Sequence, residues 1–163
     1  MRYAQIRSLD IANGIGMRVS VFVQGCDFHC KDCFNVDTWD WIGGKEWTVE
    51  QEDMVLNLCK GERIKGLSIL GGEPLHPNNI ETVTELAKHF KMLYPNKDLW
   101  IWSGYTWESY IHDKEIVKYA DVIVDGRFEC DKKNLGLQFR GSSNQRVIDV
   151  KETIKNKEIV HYL

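Results

Sequence analysis

The sequence RVSVFVQGCDFHCKDCFN, residues 18–35, joins a short apolar run to a loop with three cysteines. The run Val19 to Val23 has the length and β-branched composition of a buried strand. Cys26, Cys30 and Cys33 follow it, with three residues and then two between them. A closed zinc site or a fully protein-ligated cubane takes four ligands, so three thiolates on one loop leave a coordination position open. We predict a metal site with that open position at the end of this strand.

The length and charge of the chain set broad limits on its function. A chain of 163 residues suits one compact domain, residues 1–163, that buries roughly two thirds of its unfolded surface. Charged residues make up 28% and the net charge is −3, which favours neither nucleic acid nor an anionic membrane as a partner. The N-terminal segment lacks a signal-peptide pattern, and no window reaches the roughly 18 apolar residues that span a bilayer. We therefore expect a cytoplasmic protein.

The five cysteines are an odd number, which is typical of metal ligands and buried thiols in a reducing compartment rather than of a disulfide framework. Cys59 falls in a predicted amphipathic helix and Cys130 in a polar loop, and we interpret both as ordinary thiols. His29 could complete a zinc site beside the three clustered cysteines. That alternative stays open, although the spacing is not that of a paired Cys-x2-Cys knuckle and no second cysteine pair follows.

Short apolar runs and helical patterns alternate along the chain. Besides the first strand, we predict strands at Leu67 to Leu70, Leu99 to Trp102 and Val122 to Val124. Strands that alternate with helices indicate βαβ units and a parallel sheet.

Three helices are predicted between these strands. Thr48 and Gln51 form a capping-box pattern that opens a helix to about Lys60. The apolar side of this first helix is expected to consist of Val49, Met54, Val55 and Leu58. The second helix covers Asn79 to Leu93, and its expected core stripe is Ile80, Val83, Leu86, Ala87, Phe90 and Leu93. The third is predicted over Trp107 to Lys118.

A turn of unusual composition follows each predicted strand. Besides the cysteine loop, these turns are Gly71-Gly72-Glu73-Pro74, Ser103-Gly104-Tyr105-Thr106 and Asp125-Gly126-Arg127-Phe128. Parallel strands bring their carboxyl ends to one rim, so the four turns are expected to form one site. A full eight-stranded barrel needs about 250 residues. We therefore predict an α/β fold with a mostly parallel sheet that forms a partial, open barrel.

Together these motifs resemble the radical S-adenosylmethionine (SAM) enzymes, and among them the small activating proteins of anaerobic ribonucleoside-triphosphate reductase. The cysteine spacing is the signature of the superfamily. The closer resemblance rests on motifs that cover nearly the whole chain: residues 10–18, 34–35, 38–39, 71–77, 100–105, 124–126 and 140–145.

The resemblance implies a [4Fe–4S] cluster that is held by Cys26, Cys30 and Cys33 and whose fourth iron binds SAM. The residues implied to contact SAM are Asp32, Cys33, Phe34, Gly71, Gly72, Glu73, Ser103 and Asp125. Asp32 departs from the aromatic residue that many superfamily members have before the third cysteine, so the residue that stacks on adenine stays open. The turn at Ser103 could instead cap a helix, and Asp125 and Arg127 could form an ordinary surface turn.

The implied activity is reductive cleavage of SAM, followed by hydrogen abstraction that leaves a glycyl radical on the large anaerobic ribonucleotide reductase subunit. The implied electron donor is a low-potential carrier such as flavodoxin. Three alternatives stay open: activation of another glycyl-radical enzyme such as pyruvate formate-lyase, a radical SAM enzyme with a small-molecule substrate, and a non-catalytic zinc or iron–sulfur binding module.

The final segments carry less information. Arg140 to Arg146 is a small, polar loop that a partner could order, or one that leads into a last strand at Val147 to Val150. Residues 151–163 alternate charged and apolar side chains, and the sequence does not indicate their role.

Overall fold

The computed structural model describes all residues from 1 to 163 and contains a seven-stranded mixed sheet. Its strands are β1 (Arg2–Asp10), β2 (Met17–Gln24), β3 (Lys45–Glu46), β4 (Ile64–Gly71), β5 (Asp98–Trp102), β6 (Val122–Asp125) and β7 (Arg146–Asp149). The helices are α1 (Val49–Leu58), α2 (Ile80–Leu93) and α3 (Val150–Asn156). No helix is long and apolar enough to cross a membrane.

The sheet has the order β3-β1-β2-β4-β5-β6-β7 and does not close into a barrel. The four central strands, β2, β4, β5 and β6, are parallel to one another, whereas β1 pairs antiparallel with β2 and β7 pairs antiparallel with β6. This arrangement confirms the predicted α/β fold with a mostly parallel, open sheet. All four predicted strands are present.

Helix α1 begins where the capping-box pattern predicts, but its details differ from the prediction. The Thr48 hydroxyl bonds to the side chain of Gln51 and makes no cap to a backbone N–H. Two residues of the predicted apolar side, Val49 and Met54, are exposed, while Val55 and Leu56 are buried. The helix meets the core along a narrower strip than the pattern suggested.

Helix α2 buries most of its predicted stripe. Val83, Leu86, Ala87 and Phe90 are fully buried in the core that lies between the helices and one face of the sheet. The prediction is wrong for Leu93, which is exposed. Its neighbour Tyr94 packs against that core instead, and the Tyr94 hydroxyl donates to the Leu56 carbonyl at 2.7 Å.

The prediction of a third helix is wrong. Residues 107–118 contain two short 3₁₀ turns instead, Ile111–Asp113 and Glu115–Lys118. Ile111 and Ile116 are both fully buried. Residues five apart point to different sides of a continuous α-helix, so burial of both in one core favours a break. The extended backbone of Lys114 supplies that break.

The C-terminal tail covers the outer edge of β7. Asp149 N–H donates to the Val160 carbonyl at 2.9 Å, and Tyr162 N–H donates to the Val147 carbonyl at 2.7 Å. The Tyr162 ring meets Trp100 edge-on at 5.3 Å on the sheet face opposite the helices. The strand predicted at Val147 to Val150 lies one residue earlier in the structure, at Arg146–Asp149, because Val150 is the first residue of α3.

Candidate functional site

A cavity of about 470 Å³ lies at the carboxyl ends of the parallel strands. It gathers most of the predicted site residues, because its lining includes Cys26, Cys30, Cys33, Phe34, Gly71, Gly72, Glu73 and Ser103. Its volume is in the range of small-molecule and cofactor sites. The predicted convergence of strand-end turns on one cavity is therefore present for the cysteine loop and the next two turns, and Gly126 and Arg127 of the fourth turn line it as well.

The three cysteines of this cavity are free thiols. Cys26 is buried, and burial raises the pKa of its thiol to about 11. Burial also raises the pKa of Cys30. Thiolates at these positions therefore call for a neighbouring positive charge, which iron or another thiophilic metal provides. The Asn35 N–H lies 3.4 Å from the Cys33 sulfur, a contact of the kind that tunes iron–sulfur clusters. The donor set fits an iron–sulfur cluster.

His29 does not join the cysteines in the lining of the cavity. Its exposed ring stacks on Trp39, with centroids 4.6 Å apart and planes 14° apart. No group of three or more His, Cys, Asp and Glu side chains, the three cysteines included, is drawn together around one metal position, so the cluster assignment rests on donor type and on the shared cavity. His29 is therefore not placed beside the three thiols as a fourth ligand. Cys59 lies in the core, and Cys130 does not line the cavity, in agreement with their interpretation as ordinary thiols.

The loop that carries the cysteines has an irregular backbone. His29 and Asp32 have φ angles of 48° and 60°, in the left-handed region that costs most L-residues energy. Asp tolerates this region better than most residues, which gives a backbone reason for Asp32 before the third cysteine. The Asp32 side chain is exposed and does not line the cavity.

Phe34 sits at the rim of the cavity, with 57% of its surface exposed. Its ring lies 5.0 Å from that of Phe128, and the Lys133 ammonium lies 5.2 Å from its centroid. A Cβ on Gly141 would come within 2.7 Å of the Phe34 ring, so this glycine allows the loop after β6 to pack directly on the cysteine loop.

The Gly71-Gly72 turn runs in contact with the strand end that leads to Cys26. Gly71 has a φ of 108°, which favours glycine, and a Cβ on Gly72 would lie 2.4 Å from the Gly25 carbonyl oxygen. Gly72 N–H donates to the Val23 carbonyl, and Glu73 N–H donates to the Gly25 carbonyl, each at 2.8 Å. The turn and the cysteine loop are therefore built as one unit.

Glu73 ties that turn to the next one. Its buried carboxylate accepts from Leu75 N–H at 2.9 Å, the Ser103 hydroxyl at 2.8 Å and Gly104 N–H at 2.6 Å. Burial raises the pKa of Glu73 to about 7, although these hydrogen bonds favour the charged form. The carboxylate and the Ser103 hydroxyl are thus hydrogen-bonded to each other in the lining of the cavity.

Asp125 does not line the main cavity but faces a neighbouring polar hollow of about 520 Å³. Its carboxylate accepts from Trp107 N–H at 2.8 Å and from two nitrogens of Arg146 at 3.0 and 2.5 Å. Arg146 also forms a two-pronged pair with Glu108 at 2.9 and 2.8 Å, and its hydrogen bonds lower the pKa of Glu108 to about 2. Sequence reasoning missed this network, because its hydrogen-bonded pairs are 18 to 38 residues apart.

Sequence reasoning also missed several residues that line the cavity. Arg7 and Asn13 come from β1 and the loop after it, and Phe28 lies between the first two cysteines. The Arg127 guanidinium lies 4.4 Å from the centre of the Phe28 ring, and both residues border the main cavity and the polar hollow. Only the cysteine spacing drew attention to Phe28, and no local pattern marked Arg7.

A family model described as "4Fe-4S single cluster domain" matches residues 12–148, which places this open α/β sheet, with three free thiols around one cavity, among the proteins that carry one iron–sulfur cluster. The chain is 41% identical over 148 residues to the anaerobic ribonucleoside-triphosphate reductase-activating protein of Vibrio cholerae, a match that covers 89% of this chain and 96% of the relative. It belongs to the family of anaerobic ribonucleoside-triphosphate reductase-activating proteins, as the sequence motifs predicted.

Two further relatives carry the same name. The protein of Escherichia coli K12 is 39% identical over 150 residues, which covers 90% of this chain and 97% of the relative. That of Enterobacteria phage T4 is 40% identical over 149 residues, with coverage of 90% and 93%. The similarity extends over nearly the full length of each relative.

Proposed function

We propose that this protein activates an anaerobic ribonucleoside-triphosphate reductase by forming a glycyl radical on it. Cys26, Cys30 and Cys33 would hold a [4Fe–4S] cluster, and SAM would occupy the remainder of the cavity. When bound, the cluster supplies one electron for cleavage of SAM into methionine and a 5′-deoxyadenosyl radical, which takes a hydrogen atom from a reductase glycine.

The observation that carries the proposal is the shared cavity of the three free thiols and the Gly71-Gly72 turn. Three cysteine ligands leave one iron for the amino and carboxylate groups of SAM. The glycine turn has no side chains in the way, so its carbonyl groups can accept from the SAM ammonium. Cys33 and Phe34, at the rim, are the proposed neighbours of the adenosyl part.

Other predicted site residues are proposed to act by holding the turns of the site in place. Glu73 and Ser103 fix the two turns relative to each other, and Asp125 holds its strand end through Arg146. SAM carries an ammonium and a sulfonium, and a positive ligand near the buried Glu73 would favour its ionised form. For Asp32 the proposed contribution is the left-handed backbone that shapes the cysteine loop.

The open sheet supports a protein substrate. Beyond Tyr3, the outer edge of β1 has no partner strand, and Arg7 of that strand borders the cavity. A segment of the reductase could approach through this gap and exclude water from the reacting atoms. The names of the relatives favour anaerobic ribonucleotide reductase over pyruvate formate-lyase as the target. A low-potential carrier such as flavodoxin is the proposed electron donor.

Electron paramagnetic resonance on the anaerobically reconstituted protein tests the proposal. With dithionite, SAM and the reductase from the same genome, we expect a glycyl-radical doublet that pyruvate formate-lyase does not give. Cys30→Ser should abolish the doublet, whereas the matched Cys130→Ser should retain it, since Cys130 does not line the cavity. A full signal from Cys30→Ser would refute the cluster assignment, and a doublet on pyruvate formate-lyase alone would refute the choice of target.

A further inference from the structure

A side-chain bridge joins the cysteine loop to the turn that follows β4. Asp27 comes directly after Cys26, and His76 follows the Gly-Gly-Glu-Pro turn. The Asp27 Oδ2 atom lies 2.7 Å from His76 Nε2, and the indole N–H of Trp41 donates to Asp27 Oδ1 at 2.8 Å. The rings of Trp41 and His76 are 4.5 Å apart, so the three side chains form one contact group.

The hydrogen-bond pattern fixes the direction of the bridge. Asn78 N–H donates to His76 Nδ1 at 3.0 Å, so Nδ1 acts as the acceptor and carries no hydrogen. The ring hydrogen is then on Nε2, from which His76 donates to the Asp27 carboxylate. Two donors therefore converge on one carboxylate whose side chain is 63% exposed.

Asp27 lies beside the contact between the cysteine loop and the Gly71-Gly72 turn. The Trp41 ring lies against Gly25, because a Cβ on that glycine would come within 2.1 Å of it. Gly25 in turn accepts the Glu73 N–H hydrogen bond and contacts Gly72. Beyond Cys26 the loop has no regular secondary structure until Val36–Thr38. A side-chain tie across 49 residues restrains the part of the loop that regular backbone hydrogen bonding leaves free.

We propose that Asp27 and His76 are positioning residues that hold the cysteine loop against the Gly71-Gly72 turn and so fix where SAM lies relative to the cluster. The inference rests on the proposed function, since it concerns how one cavity holds both groups. Neither side chain lines the cavity, so neither is expected to touch SAM or the cluster.

The test compares SAM binding with cluster retention in the reconstituted protein. The variants are Asp27→Ala and His76→Ala, with His76→Gln as the conservative replacement that keeps an N–H donor. His89→Ala is the matched control, because His89 pairs with Glu52 at 3.3 Å between α2 and α1 and lines no part of the cavity. Iron per chain and melting temperature are measured first. The change in the electron paramagnetic resonance spectrum of the reduced cluster is then titrated with SAM.

We expect Asp27→Ala and His76→Ala to weaken SAM binding by about three- to fivefold, the scale of one hydrogen-bonded pair with an exposed carboxylate. Iron content and melting temperature should stay at the level of His89→Ala, and His76→Gln should recover most of the affinity. Because Asp27 is largely exposed, Asp27→Ala is expected to fold even if His76→Ala does not.

Three other outcomes would each contradict either the positioning role or the proposed function. If both alanine variants bind SAM as His89→Ala does, the pair does not position SAM, while the proposed function stands. If affinity falls only together with iron content, the pair retains the cluster and the positioning role is wrong. If the wild-type cluster does not respond to SAM, the proposed function fails and this inference fails with it.

Discussion

Replacement of Glu73 by Gln should change the pH dependence of stability in a direction that the structure fixes. Burial raises the pKa of Glu73 from an ordinary value of 4.5 to about 7. Between these two values the folded chain keeps a proton that the unfolded chain has lost. The free energy of unfolding therefore falls as pH rises through this window and levels off above about pH 7. The carboxyl accounts for roughly 3 kcal/mol of that fall.

In Glu73→Gln this contribution is absent, while the loss of one of three hydrogen bonds costs about 1 kcal/mol at every pH. The wild-type protein should therefore be more stable than the variant near pH 4.5 and should lose that advantage by pH 7.5. Urea denaturation of both proteins at matched iron content, over this range, measures the difference. Glu62→Gln, at an exposed position, controls for removal of one carboxylate. A wild-type-minus-variant difference that is flat with pH would refute the reasoning.

Two further substitutions test the geometry. Gly72→Ala should lower the melting temperature by about 3–10 °C, because the new Cβ would lie 2.4 Å from the Gly25 carbonyl oxygen and overpacking costs about 1–3 kcal/mol. Gly61→Ala is the control. Its Cβ would lie 3.4 Å from the nearest atom, so this variant should melt close to the wild-type temperature in the same thermal scan. Arg146→Ala should cost about 2–4 kcal/mol in guanidinium denaturation, because it leaves the buried Asp125 carboxylate without its cation. Lys132→Ala removes an exposed pair with Glu129 and should cost less than about 1 kcal/mol; equal losses in the two variants would contradict this account.

The central strands and their turns could be predicted because the signals were local. Val19 to Val23 is an apolar run that ends two residues before Gly25, and Gly71-Gly72 marks a close backbone approach that the structure contains. Strand β1 gave no such signal. It has irregularities in its pairing with β2 after Tyr3 and after Arg7, so its side chains do not alternate regularly between a buried and an exposed face.

Features that depend on distant residues had no local sign in the sequence. Asp125 stays a predicted site residue, and no local pattern indicated that its carboxylate accepts from Arg146 and from the Trp107 N–H. The Asp27–His76 bridge joins residues 49 apart, and nothing near either one indicates the other. Residues 107–118 look helical by spacing, yet burial of both Ile111 and Ile116 favours a break. Sequence patterns record local preference, and these features depend on which elements become neighbours.

The two edges of the sheet differ in how much of their backbone is already hydrogen-bonded. At β7 the segment 160–162 lies back along the edge, and the Asp149–Val160 and Tyr162–Val147 hydrogen bonds occupy part of its backbone. At β1 the edge is covered only at Arg2 and Tyr3. The β1 edge, which borders the cavity at Arg7, therefore offers more unpaired backbone than the β7 edge does. An incoming polypeptide that completed it would pass along β1 beside Arg7, with the exposed Leu9 and Ile11 as its first apolar contacts.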